Sequence, residues 1–432
     1  MSTQRVPRGR NVFSLGCKVS RAEASALASL LPPGTVLVHA CTVTARADRD
    51  ARRLIRRARR ENPGAPLVVA GCLAQRDPEG LAALPEVDLV LGLGRRAEAG
   101  PLLASARAGL LPSKVAWSPP GSAPPFGLVG GPCGATVDPD RTRAFLKVQD
   151  GCSRRCAFCV VPSLRGAEAS ASAAAVAVEI ERLGEEGVAE VVLTGVHLAS
   201  FGSERGESLV DLVSLLERHP PACRVRISSL EPMEAGADLV EAVASSSVVV
   251  PHLHLPLQSG SDALLRRMRR GGTAGRFARL VQRAVRANPA LHVATDLIAG
   301  YPGETDAEFL ESVGLARDLP LASLHVFPFS PRSGTAAAAA HDREAVPSGV
   351  VRERAASLRR LGEEKSRAFS RAALSRPADV VALQGGVGLT ADYLEPGLLP
   401  GPAGELPRPG ERFGARLLEG PGGRLLAVPS SC

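Results

Sequence analysis

The stretch Gly151–Cys159, with the sequence GCSRRCAFC, carries three closely spaced cysteines: Cys152, Cys156 and Cys159. A cubane iron–sulfur cluster takes thiolate ligands, and three cysteines on one short loop can hold three of its irons. The fourth iron then stays open for a substrate or cofactor. A structural zinc site is the alternative, but it usually takes four protein ligands. No fourth cysteine or histidine lies close by in the sequence, so the spacing favours an iron–sulfur cluster.

Strand-then-helix units surround this motif from about Thr142 to Arg371. The predicted strands are short runs rich in apolar residues, namely Ala144–Val148, Glu190–Leu193, Val225–Ser228, His252–Leu257, His292–Ile298 and Ser323–Phe327. The predicted helices include Ala173–Glu186, Leu209–Arg218, Gly275–Asn288, Glu304–Leu319 and the long closing helix Ser348–Leu374. Six such units predict an open or partial (β/α)6 barrel, and the cysteine loop follows its first strand, at the face where barrel enzymes place their chemistry.

The segment upstream predicts a separate α/β domain over residues 9–110. Buried strands are expected at Thr35–Ala40, Leu67–Ala70 and Val87–Leu91. Between the first two, Ala45–Arg60 has the pattern of a helix, with Thr44 as its N-cap. Because strands and helices alternate, we expect a parallel sheet.

Two segments are rich in proline and glycine. Residues 111–141 predict an irregular linker ahead of the core domain, 142–371. Residues 372–432 contain the short apolar runs Ala378–Leu383 and Arg424–Val428, which predict a small antiparallel β-domain. The expected fold class is therefore α/β with a C-terminal β-domain.

The overall composition fits a globular chain with a polyanionic partner. Hydrophobic residues make up 45% and charged residues 22%, and no apolar run approaches the length of a membrane span. The N-terminus lacks the apolar core of a signal peptide, so we expect a cytoplasmic protein. In that compartment a chain with nine cysteines favours metal ligands over disulfides. The net charge of +8 favours RNA as a partner, although the abundance of arginine and alanine is equally typical of a compositional bias.

Three more cysteines lie far apart in the first domain: Cys17 in FSLGCKVS, Cys41 in VLVHACTVT and Cys72 in VVAGCLAQ. Each follows a β-like run or a small residue and opens a polar loop. The ends of parallel strands converge at one edge of a sheet, so the three thiols can meet there and bind a second cluster. Buried structural cysteines are the alternative. The remaining Cys133, Cys223 and Cys432 match no ligand motif.

A series of motifs runs in order from about Asn11 to Leu374: SLGCKV, ACTVTARAD, AGCLAQ, QDGCSRRCAFCVVPSLRG, LTGVHLASFG, RISSLEP, HLHLPLQSGSDALLRRMRRG, DLIAGYPGET and LHVFPFSPRSGT. The series resembles the radical S-adenosylmethionine methylthiotransferases, and within them most closely the bacterial tRNA threonylcarbamoyladenosine methylthiotransferases. The resemblance implies an N-terminal methylthiotransferase domain, a radical S-adenosylmethionine barrel and a C-terminal TRAM domain that grips RNA.

The resemblance also implies roles for individual residues. Cys17, Cys41 and Cys72 match the ligands of an auxiliary [4Fe–4S] cluster, and Cys152, Cys156 and Cys159 those of the cluster that cleaves S-adenosylmethionine. Contacts with S-adenosylmethionine fall, in chain order, on Thr194, Gly195, Ser228, Glu231, Gln258, Ile298 and Gly300. For Ser228 and Gly300, a role in turn geometry at a strand end is an equal alternative.

The reaction implied by the resemblance replaces the C2 hydrogen of N6-threonylcarbamoyladenosine, at tRNA position 37, with a methylthio group. One S-adenosylmethionine donates a methyl group to sulfur, and a second yields the radical that removes the hydrogen. The implied partners are tRNA and a reductant protein such as flavodoxin or ferredoxin. Alternatives within the superfamily act on isopentenyladenosine tRNA or on ribosomal protein S12, and an alternative outside it is a non-catalytic, metal-containing RNA-binding protein.

Some features depart from the family or extend beyond it. The family usually has asparagine where this chain has Ser20 and His39, so the hydrogen bonds around the auxiliary cluster are expected to differ. The predicted helix at 45–60 has an apolar stripe of Ala51, Leu54, Ile55 and Ala58, and its outward arginines are Arg49, Arg52, Arg53, Arg56, Arg57 and Arg60. These arginines are candidates for tRNA phosphate contacts, with an ordinary solvated helix face as the equal alternative.

Overall fold

The computed structural model describes residues 4–5, 11–122, 125, 127–129, 142–374, 376–401 and 404–430. Within these ranges the chain folds into an N-terminal α/β unit, a half-open barrel and a small closed β-barrel. We propose that these three units are the domains expected from the sequence. Most of the segment 123–141 lies outside the described residues, as do Cys133 and Cys432.

The N-terminal unit is a six-stranded sheet in sequential order. Its strands are β1 (Gln4–Arg5), β2 (Asn11–Leu15), β3 (Val36–Ala40), β4 (Leu67–Ala70), β5 (Leu89–Leu91) and β6 (Val115–Ala116). Its helices are α1 (Lys18–Leu30), α2 (Ala45–Glu61), α3 (Cys72–Arg76), α4 (Pro78–Ala82) and α5 (Ala99–Arg107). Strands β2 to β6 are parallel and β1 is antiparallel to β2, and apolar clusters cover both faces of the sheet. The predicted parallel α/β sheet is therefore confirmed.

Several details of this unit differ from the prediction. The sequence pattern did not reveal β2 or α1, because α1 is a run of alanine and serine with few large apolar residues. The segment expected to be an irregular linker begins with β6, whose neighbour Trp117 donates from Nε1 to the Gln75 carbonyl at 3.0 Å. By contrast, α2 begins as predicted, since the Thr44 side chain accepts from the Ala47 N–H.

The core unit contains two three-stranded parallel sheets. They are β7 (Ala144–Lys147), β10 (Glu190–Thr194) and β11 (Arg224–Ile227), followed by β12 (His252–His254), β13 (His292–Ala299) and β14 (Ser323–Pro328). A parallel bridge between Val225 and Val249 joins the two sheets into one curved wall. Among the described residues no ladder pairs β14 with β7, so the barrel is open on that side, where α1 packs against β7. The partial (β/α)6 barrel is confirmed.

Short strands and helices surround this wall. The pair β8 (Gln149–Asp150) and β9 (Ala169–Ser170) brackets the cysteine loop. The helices are α6 (Pro162–Arg165), α7 (Ala173–Glu185), α8 (Leu209–Arg218), α9 (Pro232–Ser245), α10 (Asp262–Arg267), α11 (Ala274–Ala287), α12 (Asp306–Asp318), α13 (Ala336–Glu344) and α14 (Ser348–Ala373). Helix α9 was not predicted, and β12 ends three residues before the predicted Leu257 because Pro256 has no N–H for a ladder.

The C-terminal unit is a closed five-stranded barrel of β15 (Pro377–Leu383), β16 (Val387–Thr390), β17 (Gly397–Leu398), β18 (Arg412–Glu419) and β19 (Leu425–Pro429). The prediction of a wholly antiparallel domain is wrong at one place, since β17 and β19 are parallel. Both apolar runs singled out in the sequence form strands. This small barrel docks on the N-terminal ends of the core strands: Arg224 donates to the Asp379 and Leu389 carbonyls, each at 2.8 Å.

Candidate active site

The loop that carries Cys152, Cys156 and Cys159 is held at the C-terminal end of β7. The Cys152 N–H donates to the Gly166 carbonyl at 3.1 Å, and the Cys159 N–H to the Cys156 carbonyl, also at 3.1 Å. Gly151 has φ +75°, and a Cβ there would lie 1.8 Å from the Ala167 carbonyl oxygen. The close return of the chain past the cysteines therefore requires glycine at this position.

The thiols of this loop have an environment suited to binding a metal cluster. Burial, followed by the neighbouring Cys156 and Cys152, raises the pKa of the Cys159 thiol to about 12. A thiol of that kind loses its proton when a metal takes its place. Arg270 lies close by, with Nη1 3.7 Å from Cys156 Sγ, and would offset part of the negative charge of ligated thiolates.

The tertiary structure brings a histidine near this loop that the sequence spacing did not reveal. Cys152, Glu168 and His197 offer ligand atoms within 4.8 Å of one another. The imidazole is already engaged, however: Nδ1 is 2.8 Å from Glu168 and Nε2 is 2.7 Å from Glu234. Although burial opposes it, these carboxylates raise the pKa of His197. Because both ring nitrogens face a carboxylate, neither is free to ligate a metal. The arrangement therefore favours three cysteine ligands over a zinc site completed by His197.

Cys17, Cys41 and Cys72 meet at one edge of the N-terminal sheet. They follow the adjacent parallel strands β2, β3 and β4, whose ends are aligned through the pairs Leu15–Ala40 and His39–Ala70. Burial, and then the proximity of Cys17 and Cys72, raises the pKa of the Cys41 thiol. The three distant cysteines thus lie at neighbouring strand ends along one edge of the sheet. A cubane cluster with an open iron would take three such thiolates.

A glycine allows one of these strand ends to pass close to the next. Gly71, immediately before Cys72, has φ +97°, and a Cβ on it would lie 2.6 Å from the Ala40 carbonyl oxygen. Any larger residue would push Cys72 away from Cys41.

A buried ionic cluster links the two cysteine sets across the domain boundary. The Glu23 carboxylate, on α1, accepts from Lys147 of β7 at 2.6 Å and from Arg165 of α6 at 2.9 Å. Arg96 and His39 also lie beside it, at 2.8 and 3.5 Å. All of these side chains are at most 3% exposed. Removing any one charge from such a cluster would be costly, so the two domains are held in one fixed relation.

The two positions that depart from the family pattern contact this region. Ser20 is fully buried, and its hydroxyl lies 3.6 Å from Cys17 Sγ. His39 contacts Glu23, and burial lowers the pKa of its imidazole. The expectation that the hydrogen bonds around the auxiliary site differ here thus has a structural basis: a hydroxyl reaches Cys17, and a histidine joins the ionic cluster.

A cavity of about 330 Å³ lies between the N-terminal unit and the barrel. Its lining contains Val43 and Thr44, from the loop that follows Cys41, and Cys159 of the other cysteine set. Its remaining lining is formed by Phe158, Val160, Val161, Gln258, Asp296, Ile298, Phe327, Pro328, Phe329 and Ser330. A ligand bound in this cavity would contact both domains at once.

Of the remaining residues expected to bind S-adenosylmethionine, two reach this cavity. Gln258 and Ile298 both line it, and Gln258 has φ 80°, which is rare for a residue other than glycine and indicates a constrained position. Thr194, Gly195 and Ser228 lie at the ends of β10 and β11, on the same side of the barrel as the cysteine loop.

Of Glu231 and Gly300, only Gly300 has a residue identity that packing and turn geometry explain. The Glu231 carboxylate is 2.6 Å from Arg270, which also approaches Cys156. Its other oxygen, Oε1, is buried without a hydrogen-bond partner among the described residues, as expected of a group that awaits a ligand. Gly300 has φ +77° and packs against Val351 of α14, so turn geometry and packing explain the glycine.

Three polar residues of the barrel interior were missed by the sequence analysis. Asp296 on β13 lies 2.7 Å from His254 on β12 and 3.2 Å from His325 on β14. Although burial opposes it, these imidazoles hold the pKa of the Asp296 carboxyl well below its usual range. Each residue occupies an inward position of its strand, a signal that alternation along the predicted strands could have supplied.

The arginines of α2 lie as predicted. Ala51, Leu54, Ile55 and Ala58 are buried, whereas Arg49, Arg53, Arg56, Arg57 and Arg60 are exposed. Arg52 is the exception, since it is half-buried and forms an ion pair with Asp77. Cys223, which matched no ligand motif, is buried in the barrel core, with its thiol 3.7 Å from the Ile180 carbonyl.

A partial (β/α)6 barrel whose first loop carries Cys-x-x-x-Cys-x-x-Cys defines a radical S-adenosylmethionine enzyme. The model of the Radical SAM superfamily matches residues 146–316, and that of the uncharacterized protein family UPF0004 matches residues 10–92. A solved structure of the radical S-adenosylmethionine methyltransferase TsrM from Kitasatospora setae shares the fold, with a TM-score of 0.51 and 17% identity over 68% of this chain and 64% of that chain.

Curated relatives narrow the class. The chain is 34% identical over 371 residues to the threonylcarbamoyladenosine tRNA methylthiotransferase MtaB of Bacillus subtilis, covering 83% of this chain and 81% of the relative. It is 32% identical to the protein of the same name from Thermotoga maritima, over 86% of each chain. It is also 34% identical to the tRNA-2-methylthio-N(6)-dimethylallyladenosine synthase of a Parafrankia species, over 88% of this chain and 78% of that one.

The chain therefore belongs to the family of radical S-adenosylmethionine tRNA methylthiotransferases. The cofactors of this family are S-adenosylmethionine and [4Fe–4S] clusters, typically two per chain, and this chain supplies two sets of three converging cysteines. Among the residues that the structure describes, no helix is both long and apolar enough to cross a bilayer.

Proposed function

We propose that this enzyme installs a 2-methylthio group on N6-threonylcarbamoyladenosine at position 37 of tRNA, next to the anticodon. The observation that carries the proposal is the cavity lined by Cys159 of one cysteine set and by Val43 and Thr44, which follow Cys41 of the other set. Such a cavity suits a reaction that must bring one carbon within reach of two separate centres. When bound, the clusters and S-adenosylmethionine supply the electron, the radical and the methylthio group.

The residues of this chain would hold those groups in place. Cys152, Cys156 and Cys159 would bind one cluster at the barrel mouth, and Cys17, Cys41 and Cys72 the other at the sheet edge. S-adenosylmethionine would lie between the first cluster and the strand ends that carry Thr194, Gly195, Ser228, Glu231, Gln258, Ile298 and Gly300. Glu231 Oε1 supports this placement, since it is a buried acceptor without a hydrogen bond to any described residue that lies 4.0 Å from Nη2 of Arg154 in the cysteine loop.

The cavity lining offers hydrogen-bonding groups for a polar substituent. Thr44, Gln258 and Ser330 can donate to a carboxylate, and Asp296 can accept from an N–H of the base or of its carbamoyl group. Three relatives with 31–34% identity carry the threonylcarbamoyladenosine name, which favours the same substrate. The cavity lining within the described ranges includes no lysine or arginine, so recognition would depend on neutral donors.

The apolar part of the same lining favours a second candidate. Phe158, Phe327 and Phe329 form a wall that an isopentenyl group would fit, and one relative of similar identity is named for dimethylallyladenosine. The nucleoside therefore has to be determined by experiment.

The decisive experiment presents both tRNA types to one enzyme. Reconstituted protein is incubated with S-adenosylmethionine, sulfide, a reductant and tRNA carrying either threonylcarbamoyladenosine or isopentenyladenosine, and the digested nucleosides are weighed by mass spectrometry. We expect methylthiolation of the threonylcarbamoyl type alone. Product confined to isopentenyladenosine, or to ribosomal protein S12 added in a third reaction, would refute the substrate while leaving the reaction class intact.

The proposed partners are tRNA and a one-electron donor of the flavodoxin or ferredoxin kind. A loop base suits this chemistry, since it can be splayed into a pocket without opening a duplex. We place the reaction in the cytoplasm, where thiols stay reduced. The exposed arginines of α2 and the C-terminal β-barrel are the surfaces proposed to bind the RNA backbone.

A further inference from the structure

Arg165 lies between the two cysteine sets and contacts the one to which it does not belong. It ends α6, directly after the loop of Cys152, Cys156 and Cys159, yet its Nη2 lies 3.5 Å from Cys72 Sγ in the N-terminal unit. Its side chain is only 3% exposed. A cationic donor from the core domain therefore reaches a thiol of the other domain in a site closed to water.

The guanidinium is fixed in this orientation by carboxylates on both sides of the boundary. Nη1 and Nη2 donate to the two oxygens of Glu23 at 2.9 and 3.0 Å, and Nη1 also donates to Asp150 Oδ1 at 2.7 Å. A planar fork held by a two-point contact has little freedom to turn. The remaining direction of Nη2 is the one that points at Cys72.

Apolar packing supports the same contact. Cys72 forms a small buried cluster with Leu93, Val160 and Leu164. Val160 directly follows Cys159, and Leu164 precedes Arg165, so the segment after the first cysteine loop packs around Cys72 from two sides. The contact between Arg165 and Cys72 is thus surrounded by apolar packing between the N-terminal unit and the barrel.

We propose that Arg165 is a positioning residue of the auxiliary site: it donates a charge-assisted hydrogen bond to the Cys72 thiolate and fixes that site against the loop of the other cluster. The inference rests on the proposed function, because it takes Cys72 as a cluster ligand. Hydrogen bonds to cluster sulfurs stabilise the more negative, reduced state and so raise the reduction potential. Arg165 would therefore set both the distance between the two centres and the potential of the auxiliary one.

The test isolates the auxiliary cluster. The full chain carrying Cys152→Ala, Cys156→Ala and Cys159→Ala serves as the parent, since only the auxiliary cluster remains in it. Arg165→Lys and Arg165→Gln are added separately and reconstituted with iron and sulfide. The midpoint potential is measured by redox titration with electron paramagnetic resonance, together with iron content and circular dichroism. Arg96→Gln is the control, because Arg96 pairs with the same Glu23 carboxylate as Arg165.

We expect both Arg165 variants, where folded, to shift the midpoint potential to more negative values. Arg96→Gln should shift it less, because it is the Arg165 guanidinium that lies 3.5 Å from Cys72 Sγ. Lysine should not restore the parent value, because one ammonium cannot engage Glu23 and Cys72 in the same geometry. An unshifted potential in folded Arg165→Lys, or an equal shift in Arg96→Gln, overturns the inference. A folded parent that binds no cluster instead removes the proposed function, and this inference with it.

A second readout uses the otherwise unmodified chain. Arg165→Lys should lower methylthiolated product about 10- to 100-fold, the usual effect of losing a hydrogen bond to a metal ligand, while 5′-deoxyadenosine is still released. Equal losses of both products would indicate general damage to the fold and would contradict a role confined to the auxiliary site.

Discussion

Arg332, in the loop after β14, donates from Nη2 to Thr42 Oγ1 at 2.8 Å, across the boundary between the barrel and the N-terminal unit. The same nitrogen contacts Asp48 Oδ2 at 2.6 Å, and the Arg332 side chain is 3% exposed. Because Thr42 directly follows Cys41, this contact holds the auxiliary cysteine loop over the cavity.

We predict that Arg332→Ala impairs methylthiolation of tRNA but spares the cleavage of S-adenosylmethionine. Loss of the contact lets the Cys41 loop move, and a displacement of about 1 Å can cost on the order of 100-fold in rate. Methylthiolated tRNA should fall by about 10- to 100-fold, while 5′-deoxyadenosine release, which needs only the barrel, is retained. Arg343→Ala, at an exposed position of α13, is the control and should leave both products unchanged. A normal amount of methylthiolated tRNA from Arg332→Ala would show that the contact of Arg332 with Thr42 does not position the Cys41 loop.

We predict two oxygen-sensitive clusters per chain after anaerobic reconstitution. The chain has two separate sets of three cysteines, so replacing Cys152, Cys156 and Cys159 with alanine should leave about half of the iron and sulfide. The measurement is iron and sulfide per folded chain, with Cys223→Ala as the control, since that thiol lies in the barrel core. A folded triple variant with all of its iron, or with none, would be incompatible with two independent sites.

The auxiliary cysteines should serve one step of the reaction only. Cys17→Ala, Cys41→Ala or Cys72→Ala is expected to abolish methylthiolation and to spare S-adenosylmethionine cleavage, because the two cysteine sets belong to different domains. The assay is 5′-deoxyadenosine release with dithionite as the reductant, run beside nucleoside mass spectrometry. Full product formation by any of these variants would exclude the auxiliary cluster from the mechanism.

Glu190 should make a large contribution to stability. Its fully buried carboxylate accepts from Arg224 at 2.8 Å and from Arg226 at 2.8 Å, and both arginines also bind carbonyls of the C-terminal barrel. Glu190→Gln should lower the free energy of unfolding by about 3–5 kcal/mol, because it leaves the buried Arg226 guanidinium without its carboxylate partner. Urea unfolding measures the change, and Glu241→Gln, on an exposed pair with Arg283, should leave the midpoint unchanged.

The Glu190 carboxylate also determines how the stability of the protein changes at acidic pH. Although burial alone would raise it, Arg226 and Arg224 hold the pKa of Glu190 well below its usual range. A group with a lowered folded-state pKa stabilises the protein at pH values above the unfolded-state pKa, about 4.3, and this contribution is lost as the pH falls towards the folded-state pKa. Glu190→Gln should therefore lose less stability than the unmodified chain on acidification below about pH 4.

The exposed arginines of α2 should contribute non-specifically to tRNA affinity. Replacing Arg49, Arg53 and Arg60 with glutamine removes candidate phosphate contacts, so binding should weaken equally for all tRNAs and depend less steeply on salt. Replacing Arg279, Arg283 and Arg286 with glutamine, on the exposed face of α11, is the matched control. Equal effects of the two sets would mean that only the overall charge determines tRNA affinity. No effect of the α2 set would mean that α2 presents an ordinary solvated face that does not bind RNA.

Some elements of the structure could be predicted from local sequence patterns, and others could not. The strand at Leu67–Ala70 was predicted to the residue, because a short apolar run between turn residues has one reading. Helix α1 was missed, since its buried face consists largely of alanine and serine and gives little apolar periodicity. His197, Arg270 and the group of His254, Asp296 and His325 were also missed, because their roles depend on side chains from distant segments.

The sequence by itself determined the alternation of strands and helices and the position of two sets of three cysteines after predicted strands. These depend on local periodicity and on spacing, both of which are present in the linear chain. Only the tertiary structure decided that Arg165 reaches Cys72, that Arg332 holds Thr42 and that Cys159 and the loop after Cys41 line one cavity. Contacts of this kind depend on the packing of whole domains against each other, where buried charges from separate segments must satisfy one another away from water.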